Sequence, residues 1–382
     1  MSLLASAWLS PVAGQAREAK KNAKSIALKK PKHPQDPELA KFGIYEKTAP
    51  NPAKTVPVAT TLPLKLKKGA RIAFVGNTLL DRSQGYAYFE SMLVQAFPDY
   101  ALVMRNFAWS ADEVDLQPRP DNFATVAQHL TREKIDVVFA AFGYNESFAG
   151  LDQVASFQER LGKWITETRS SAFNGSTGPQ VVLLSPIANE NTIAVKGADL
   201  NNERLFAYAK AMREVAATHE VGFADLYEAS LALLAPADTD MTINGAHLTA
   251  EGYAKVDAVL FREVFGESAP QVNEAIREVM IDKNRQYFRR YRPLNTFYYT
   301  GGRNKNYGYL DFLPAMRNFE VMVSNRDQRA WALAQGKDQP VIDANVPALD
   351  EVIESRGANE WMSPADELKS FSIDPRFEVN LF

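Results

Sequence analysis

Cysteine is absent from this 382-residue chain, which excludes a disulfide framework, a thiolate metal site and a cysteine nucleophile at once. Histidine is scarce: His33, His129, His219 and His247 are the full complement. No two stand four apart, the spacing at which one helix face offers both rings to a zinc ion. A histidine-based metal centre has little to work with, and a catalytic base must come from a short roster. An excess of one charge is lacking too, with 43 Lys and Arg against 46 Asp and Glu for a net −3. That balance does not recruit phosphate, so no nucleic-acid partner is expected. Long apolar runs are missing: none approaches the roughly 20 residues that cross a bilayer, and no membrane span is expected.

What the chain does have is 46% apolar residues, enough for a full core, and more length than one ordinary domain needs. Residues 1–16 run Leu3-Leu4-Ala5-Ser6-Ala7-Trp8-Leu9 and then through small residues to Ala16, as in a signal peptide that lacks its positive start. Either the true start lies further upstream or the stretch is fortuitous. Export to the periplasm or the exterior is the expectation. Residues 17–69 are rich in Lys and Pro, as in Lys29-Lys30-Pro31-Lys32-His33-Pro34, without a sustained apolar period. They read as a linker, solvated in preference to gripping an anionic surface.

Residues 70–266 alternate strand and helix patterns. Strands are expected at Arg71–Val75, Tyr100–Asn106, Ile135–Phe142, Gln180–Ser185 and Val221–Leu226. Helices are expected at Tyr86–Phe97, Asn122–Arg132, Val154–Thr168, Asn202–His219 and Thr249–Phe265. The near-continuous apolar run Ile135–Phe142 suits a central parallel strand covered on both faces. The whole reads as a doubly wound α/β sandwich. Residues 267–382 form a helical extension rich in aromatics and arginine, with helices at Pro270–Tyr291 and Pro314–Gln335 and an aromatic loop over residues 296–303. Its end at Val379–Phe382 carries no polar tail, so a fragment is suspected.

In an open parallel sheet, ligands bind at the carboxyl ends of the strands. Gly76-Asn77-Thr78-Leu79, Ser110-Ala111-Asp112 and Gly143-Tyr144-Asn145-Glu146 follow the first three strands, and Asn244-Gly245-Ala246-His247 precedes the last helix. With strand order 2-1-3-4-5 the first three loops meet in one crevice. Singly, each motif has a plain reading: a capped turn, a loop Asn, a structural His. Their order is more telling. Gly-x-Thr, Gly-x-Asn-Glu and Asn-x-x-His resemble the Gly-Asp-Ser-Leu, Gly-x-Asn-Asp and Asp-x-x-His blocks of the SGNH (GDSL-like) hydrolases, over roughly half the chain.

The resemblance implies a flavodoxin-like three-layer sandwich with a five-stranded parallel sheet, and ester hydrolysis without metal or other cofactor. By position it makes Thr78 the nucleophile, His247 the base and Asn244 the orienting residue. The oxyanion hole would comprise Thr78 N–H, Ala111 N–H and Asn145 Nδ2. Three positions depart from the pattern. Threonine adds a methyl that stiffens χ1 and crowds attack. Asn244 can orient His247 through its carbonyl oxygen or, through its NH2, favour the wrong tautomer. Ala111 keeps the glycine's N–H. Asp240 is a substitute carboxylate to consider. Asn77, Asp81, Tyr144 and Glu146 are candidate substrate-binding residues. Asp81-Arg82 could grip a polar substrate or simply sit favourably in a first helical turn. Glu146 could orient the Asn145 loop or act in proton transfer, while Tyr144, Phe148 and Trp109 line a pocket or pack.

A further resemblance rests on Val75–Leu79, Phe142–Gly150, Leu184–Ala188 and the set Asn325, Arg326, Asp327, Trp331, Gln335, Gly336 and Lys337. These are similar to the N-terminal part of large exported planctomycete-type proteins that continue into a β-propeller and a haem-binding module. The chain itself has no Cys-x-x-Cys-His, so any haem would lie on such a continuation. The functional expectation is an esterase acting on small-molecule or polysaccharide O-acyl groups, acetyl above all. The alternative is a degenerate, non-catalytic carbohydrate-binding module. A third reading gives Arg285, Arg289, Arg290, Tyr291 and Arg292 to an anionic partner, against a helix that covers the α/β domain with its arginines paired.

Overall fold

A computed structural model describes residues 37–234, 239–292, 313–337, 339–348 and 362–381. The expected signal peptide, the first part of the expected linker and the aromatic loop 296–303 lie outside the described residues. Five parallel strands form the central sheet: β2 (Arg71–Gly76), β3 (Val103–Asn106), β4 (Val137–Ala141), β6 (Gln180–Leu184) and β7 (Gly222–Ala224). Their order is β3-β2-β4-β6-β7, the expected 2-1-3-4-5. A two-stranded ribbon of β1 (Ala53–Lys54) and β5 (Ser171–Ala172) stands apart from it.

All five residues of β4 are buried, as are their partners in β2 and β6 except Gln180 at the start of β6. Successive side chains in a strand point to opposite faces, so one apolar run feeds two cores. Ile72, Phe74, Phe139, Val182 and Leu184 meet α2 (Tyr88–Ala96), α6 (Leu226–Leu233) and α7 (Ala250–Phe265) on one face. Ala73, Val75, Val138, Ala140 and Leu183 meet α3 (Val126–Arg132), α4 (Val154–Arg169) and α5 (Ala198–Thr218) on the other. Each fully buried Leu or Phe contributes about 1.5–3 kcal/mol of transfer free energy. This is a flavodoxin-like three-layer sandwich around a five-stranded parallel sheet, as the sequence implied.

Residues 42–66 do not behave as a linker. Phe42, Ile44, Tyr45, Ala49, Leu64 and Leu66 are buried. Ala124 N–H donates to Ile44 C=O, the Gln128 amide donates to Glu46 and Ala49 C=O, and Val181 N–H donates to Thr60 Oγ1. The Lys/Pro composition concealed this because the apolar residues follow no helical or strand period. They fill gaps along the finished domain.

The helical extension is present as α8 (Glu274–Tyr291) and α9 (Leu313–Ala334). It is continuous with the α/β domain, since the described residues from 37 to 347 belong to one compact unit. Trp331 Nε1 donates to Leu102 C=O, and Arg105 of β3 pairs with Asp327 at 2.6 Å. Arg290 pairs with Glu320 and donates to Phe42 C=O, while Arg292 pairs with Asp81. These pairings support the covering role of the helix over an anion-binding one. The second unit, residues 348–382, contains the exposed helix α10 (Pro364–Ser370), capped by Ser363 with proline at its start.

Candidate active site

β2 ends at Gly76 with φ +116°. A Cβ there would lie 2.1 Å from Ala141 C=O of the neighbouring strand, so only glycine lets the chain leave the sheet at this point. Asn77 Oδ1 then accepts from Leu79 N–H at 3.1 Å and caps α1 (Thr78–Ser83). Thr78 therefore opens a helix whose first N–H groups have no partner within it.

Thr78 Oγ1 accepts from Ala111 N–H at 3.1 Å. Ala111 adopts φ +64°, a left-handed conformation costing an alanine roughly 1 kcal/mol relative to glycine. Alanine at this position keeps the N–H that glycine would offer. The N–H is indeed delivered, but through a backbone conformation that glycine adopts without strain.

Asn145 follows β4. Its side chain makes no hydrogen bond among the described residues, so Nδ2 stands free in the crevice. Glu146 sets the loop that carries it. The buried Glu146 carboxyl accepts from Gly143 N–H at 2.8 Å and from Val114 N–H at 3.0 Å. It thereby ties the β4 loop to the segment that follows Ala111. Burial pushes this carboxyl up to about 7 against the pull of its backbone donors. The structure thus moves Glu146 from substrate binding to positioning.

His247 and Asn244 face each other, with His247 Nδ1 2.9 Å from Asn244 Oδ1. The same oxygen accepts from Ala246 N–H at 3.3 Å and His247 N–H at 3.1 Å. Two backbone donors can converge only on the carbonyl end of the amide, so Oδ1 and not Nδ2 meets the ring. That fixes the proton on Nδ1 and leaves Nε2 as the basic nitrogen. Burial, then the positive charge of Arg82, lowers the imidazole below its ordinary value, so it is neutral at pH 7. No hydrogen bond joins Thr78 Oγ1 to His247 among the described residues. Asp240 is not a substitute for Asn244; its carboxylate accepts from Ile193 N–H.

The loop that holds His247 is anchored by a residue that the sequence did not single out. The buried Glu190 accepts from Met241 N–H, Thr242 N–H and the Thr242 hydroxyl, and Glu190 N–H donates to Gly245 C=O. Tyr253 was missed likewise. Its hydroxyl donates to Leu79 C=O and its ring stacks on Tyr86 at 4.6 Å, which joins α7 to the helix of Thr78. Nothing in a linear sequence distinguishes a buried, backbone-binding Glu from a solvated one.

The loops enclose a pocket of about 330 Å³. Asn77, Thr78, Ala111, Asn145 and His247 line its polar end, and Tyr144, Phe148, Ile187, Leu248 and Tyr253 its apolar walls. Tyr144 donates to Asn189 Oδ1 at 3.1 Å, and burial raises its hydroxyl above the ordinary value. Asp81 does not line the pocket. It accepts from the Ser110 hydroxyl and pairs with Arg292 at 3.0 Å, leaving its sequence neighbour Arg82 without an ion pair. Trp109 packs elsewhere, donating to Tyr291 and lying beneath the Arg119 and Arg292 guanidiniums at 4.3 and 4.0 Å. Among the described residues no three His, Asp or Glu side chains could hold a metal ion together. Nor is any described helix long and apolar enough to cross a membrane.

Residues 72–255 match the GDSL-like lipase/acylhydrolase family. Among solved structures, an acetylxylan esterase from Geobacillus stearothermophilus aligns at 17% identity with a TM-score of 0.44, over 55% of this chain and 100% of its own. A protein from Parabacteroides merdae described as a GDSL-like lipase aligns at 17% identity with a TM-score of 0.42, over 53% of this chain and 98% of its own. No curated protein matches the chain.

Proposed function

We propose that the α/β domain, whose residues 72–255 match the GDSL-like lipase/acylhydrolase family, cleaves O-acetyl or other short acyl esters on a carbohydrate, with Thr78 in the nucleophile's place. The observation that carries this reading is the Asn244–His247 pair, which makes Nε2 an unprotonated base in the pocket that also holds Thr78. In the proposed cycle the Thr78 hydroxyl turns from Ala111 N–H toward His247 and gives its proton to Nε2 as Oγ1 attacks the ester carbonyl. The vacated Ala111 N–H, Thr78 N–H and Asn145 Nδ2 then receive the oxyanion. Collapse expels the alcohol, which takes its proton from His247, and water repeats the sequence on the acyl-threonine. Asn244 orients the ring but lacks the charge that would stabilise an imidazolium. The carbohydrate part rests on family resemblance.

The test is hydrolysis of p-nitrophenyl acetate and acetylxylan by the wild type, Thr78→Ala and His247→Ala. Equal rates in all three would sink the triad.

A second reading has its own observation. With Thr78 Oγ1 held by Ala111 N–H and not by His247, the crevice could serve as a carbohydrate-binding module without turnover. That reading requires glycan binding by calorimetry, no hydrolysis, and no organophosphonate labelling of Thr78→Ser. We further propose export of the chain, to be checked by cell fractionation, and continuation into propeller and haem modules, to be read from the downstream reading frame.

A further inference from the structure

Ala111 lies on a turn that the interior does not hold. Ser110 and Ala111 are both exposed, and Ala111 keeps φ +64°, a conformation that an unrestrained alanine leaves readily. Its neighbours are held by side chains from elsewhere in the chain. The Ser110 hydroxyl donates to Asp81 Oδ2, which ties the turn to α1, the helix that Thr78 opens. The Trp109 indole donates to the Tyr291 hydroxyl at 2.9 Å, and Asp112 pairs with Arg119 at 2.6 Å. Arg292 joins two of these ties. Its Nη1 donates to Asp81 Oδ1 at 3.0 Å, and its guanidinium lies 4.0 Å from the centre of the Trp109 ring.

The backbone N–H groups of Thr78 and Ala111 are oxyanion donors in the proposed esterase cycle, on which this inference rests. One opens α1 and the other sits on the turn, so their spacing depends on what links those two segments. We infer that Arg292 is a positioning residue for this pair of donors: it binds Asp81 of α1, stacks on Trp109 of the turn, and so holds the two segments together. It stands outside residues 72–255, the part of the chain that matches the acylhydrolase family. The helical extension thereby completes the crevice. A planar guanidinium can bond in its plane and stack on its face at once. A lysine would keep the charge beside Asp81 but has no face to lay on Trp109. Donors already in place need no rearrangement when the oxyanion forms, and a displacement of about 1 Å can slow a reaction by about 10²-fold.

The experiment measures kcat and KM of the wild type and Arg292→Ala on p-nitrophenyl acetate and on p-nitrophenyl thionoacetate, whose C=S puts sulfur where the oxyanion would form. Arg292→Ala should lower kcat for the oxygen ester by about tenfold with KM nearly unchanged, short of the 10²–10³-fold that loss of a whole donor costs. It should also shrink the preference for oxygen over sulfur, because sulfur is a weak acceptor and gains less from well-placed donors. That ratio does not depend on how much of the protein is folded. Arg292→Lys should fall between the two. An unchanged ratio in Arg292→Ala would overturn the assignment. Asp81→Asn cuts the same link from the other end, so adding Arg292→Ala to it should cost little more, and fully additive losses refute the link. Should Arg292→Ala fail to fold, Arg292→Lys decides, and a wild-type ratio in that variant rejects the role. If the wild type turns over neither ester, the esterase reading has failed by itself. Amide exchange then tests the positioning: the bonded N–H groups of Trp109, Ala111 and Asp112 should exchange about tenfold faster in Arg292→Ala while those of β4 do not change. Equal rates at the turn would reject it.

Discussion

Along the flank of β3, charge is answered by charge. Lys283, fully buried, donates to Glu90 at 2.5 Å and to Met104 C=O at 3.1 Å. Arg105 meets Asp327 at 2.6 Å, and Arg326 bridges Asp282 and Asp343. In the crevice, the polar groups are left open: Asn145 Nδ2 and His247 Nε2 have no hydrogen-bonding partner among the described residues. Both side chains are half-buried, so water answers them at little cost until a ligand does. Unsatisfied donors at the carboxyl ends of the strands are what a ligand can answer. Saturated ones beside β3 serve to hold helices on a sheet.

That contrast can be broken from either side. The largest effect belongs to His247→Ala, expected to lower kcat/KM for p-nitrophenyl acetate by about 10³-fold or more while leaving thermal unfolding nearly unchanged. Glu90→Ala should do the reverse. It strands the Lys283 ammonium and should remove about 3–5 kcal/mol of stability in denaturant titrations, with kcat per folded molecule preserved.

Next comes Asp257, whose buried carboxyl accepts from Phe89 N–H near Glu90 and is pushed up to about 7, by burial first. With the folded value above the unfolded one, the native state holds the extra proton between about pH 4 and 7. Stability is then lost as pH rises through that window and stays low above it. Asp257→Asn should therefore raise stability by about 2–4 kcal/mol at pH 8 and by little at pH 4, as read from unfolding at both.

The smallest change sharpens the crevice. Asn244→Asp supplies the missing negative charge, and kcat should rise by about tenfold. It should also raise the imidazole value, moving the acid limb of the pH–rate profile upward. The wild-type limb should lie below His247's ordinary value of 6.5, because activity is lost only once the ring becomes protonated. A wild-type limb above that value would contradict the tautomer and burial described for His247.

The sheet was legible because β4 and the stretches that follow Arg71 in β2 and Gln180 in β6 are apolar runs of strand length. Strand β2 was expected at Arg71–Val75 and spans Arg71–Gly76; α7 was expected at Thr249–Phe265 and spans Ala250–Phe265. Thr78, Asn145 and His247 were singled out by their place after strands and before a helix, and they line one pocket. The chain at 42–66 was misread because Phe42, Ile44 and Tyr45 bury without a period. Asp81, Glu146 and Glu190 were misread or missed for a common reason. A carboxylate's role depends on which N–H groups the fold brings to it, and those donors come from residues distant in sequence. Asn244 was left open between two orientations, and only the convergence of Ala246 and His247 N–H on one oxygen chose between them.

The Arg292–Asp81 pair reaches from just past the end of α8 to the helix that Thr78 opens. A gene cut at Gly266, where the α/β pattern stops, would separate the two and leave the Asp81 carboxylate facing only Ser110 and Gln84. It would strip the cover from β3 in the same stroke. The α/β domain has thus surrendered its autonomy. Any transplant, permutation or minimal version of the crevice must carry the α8–α9 pair with it, or accept a different environment for the first turn of the helix on which Thr78 sits.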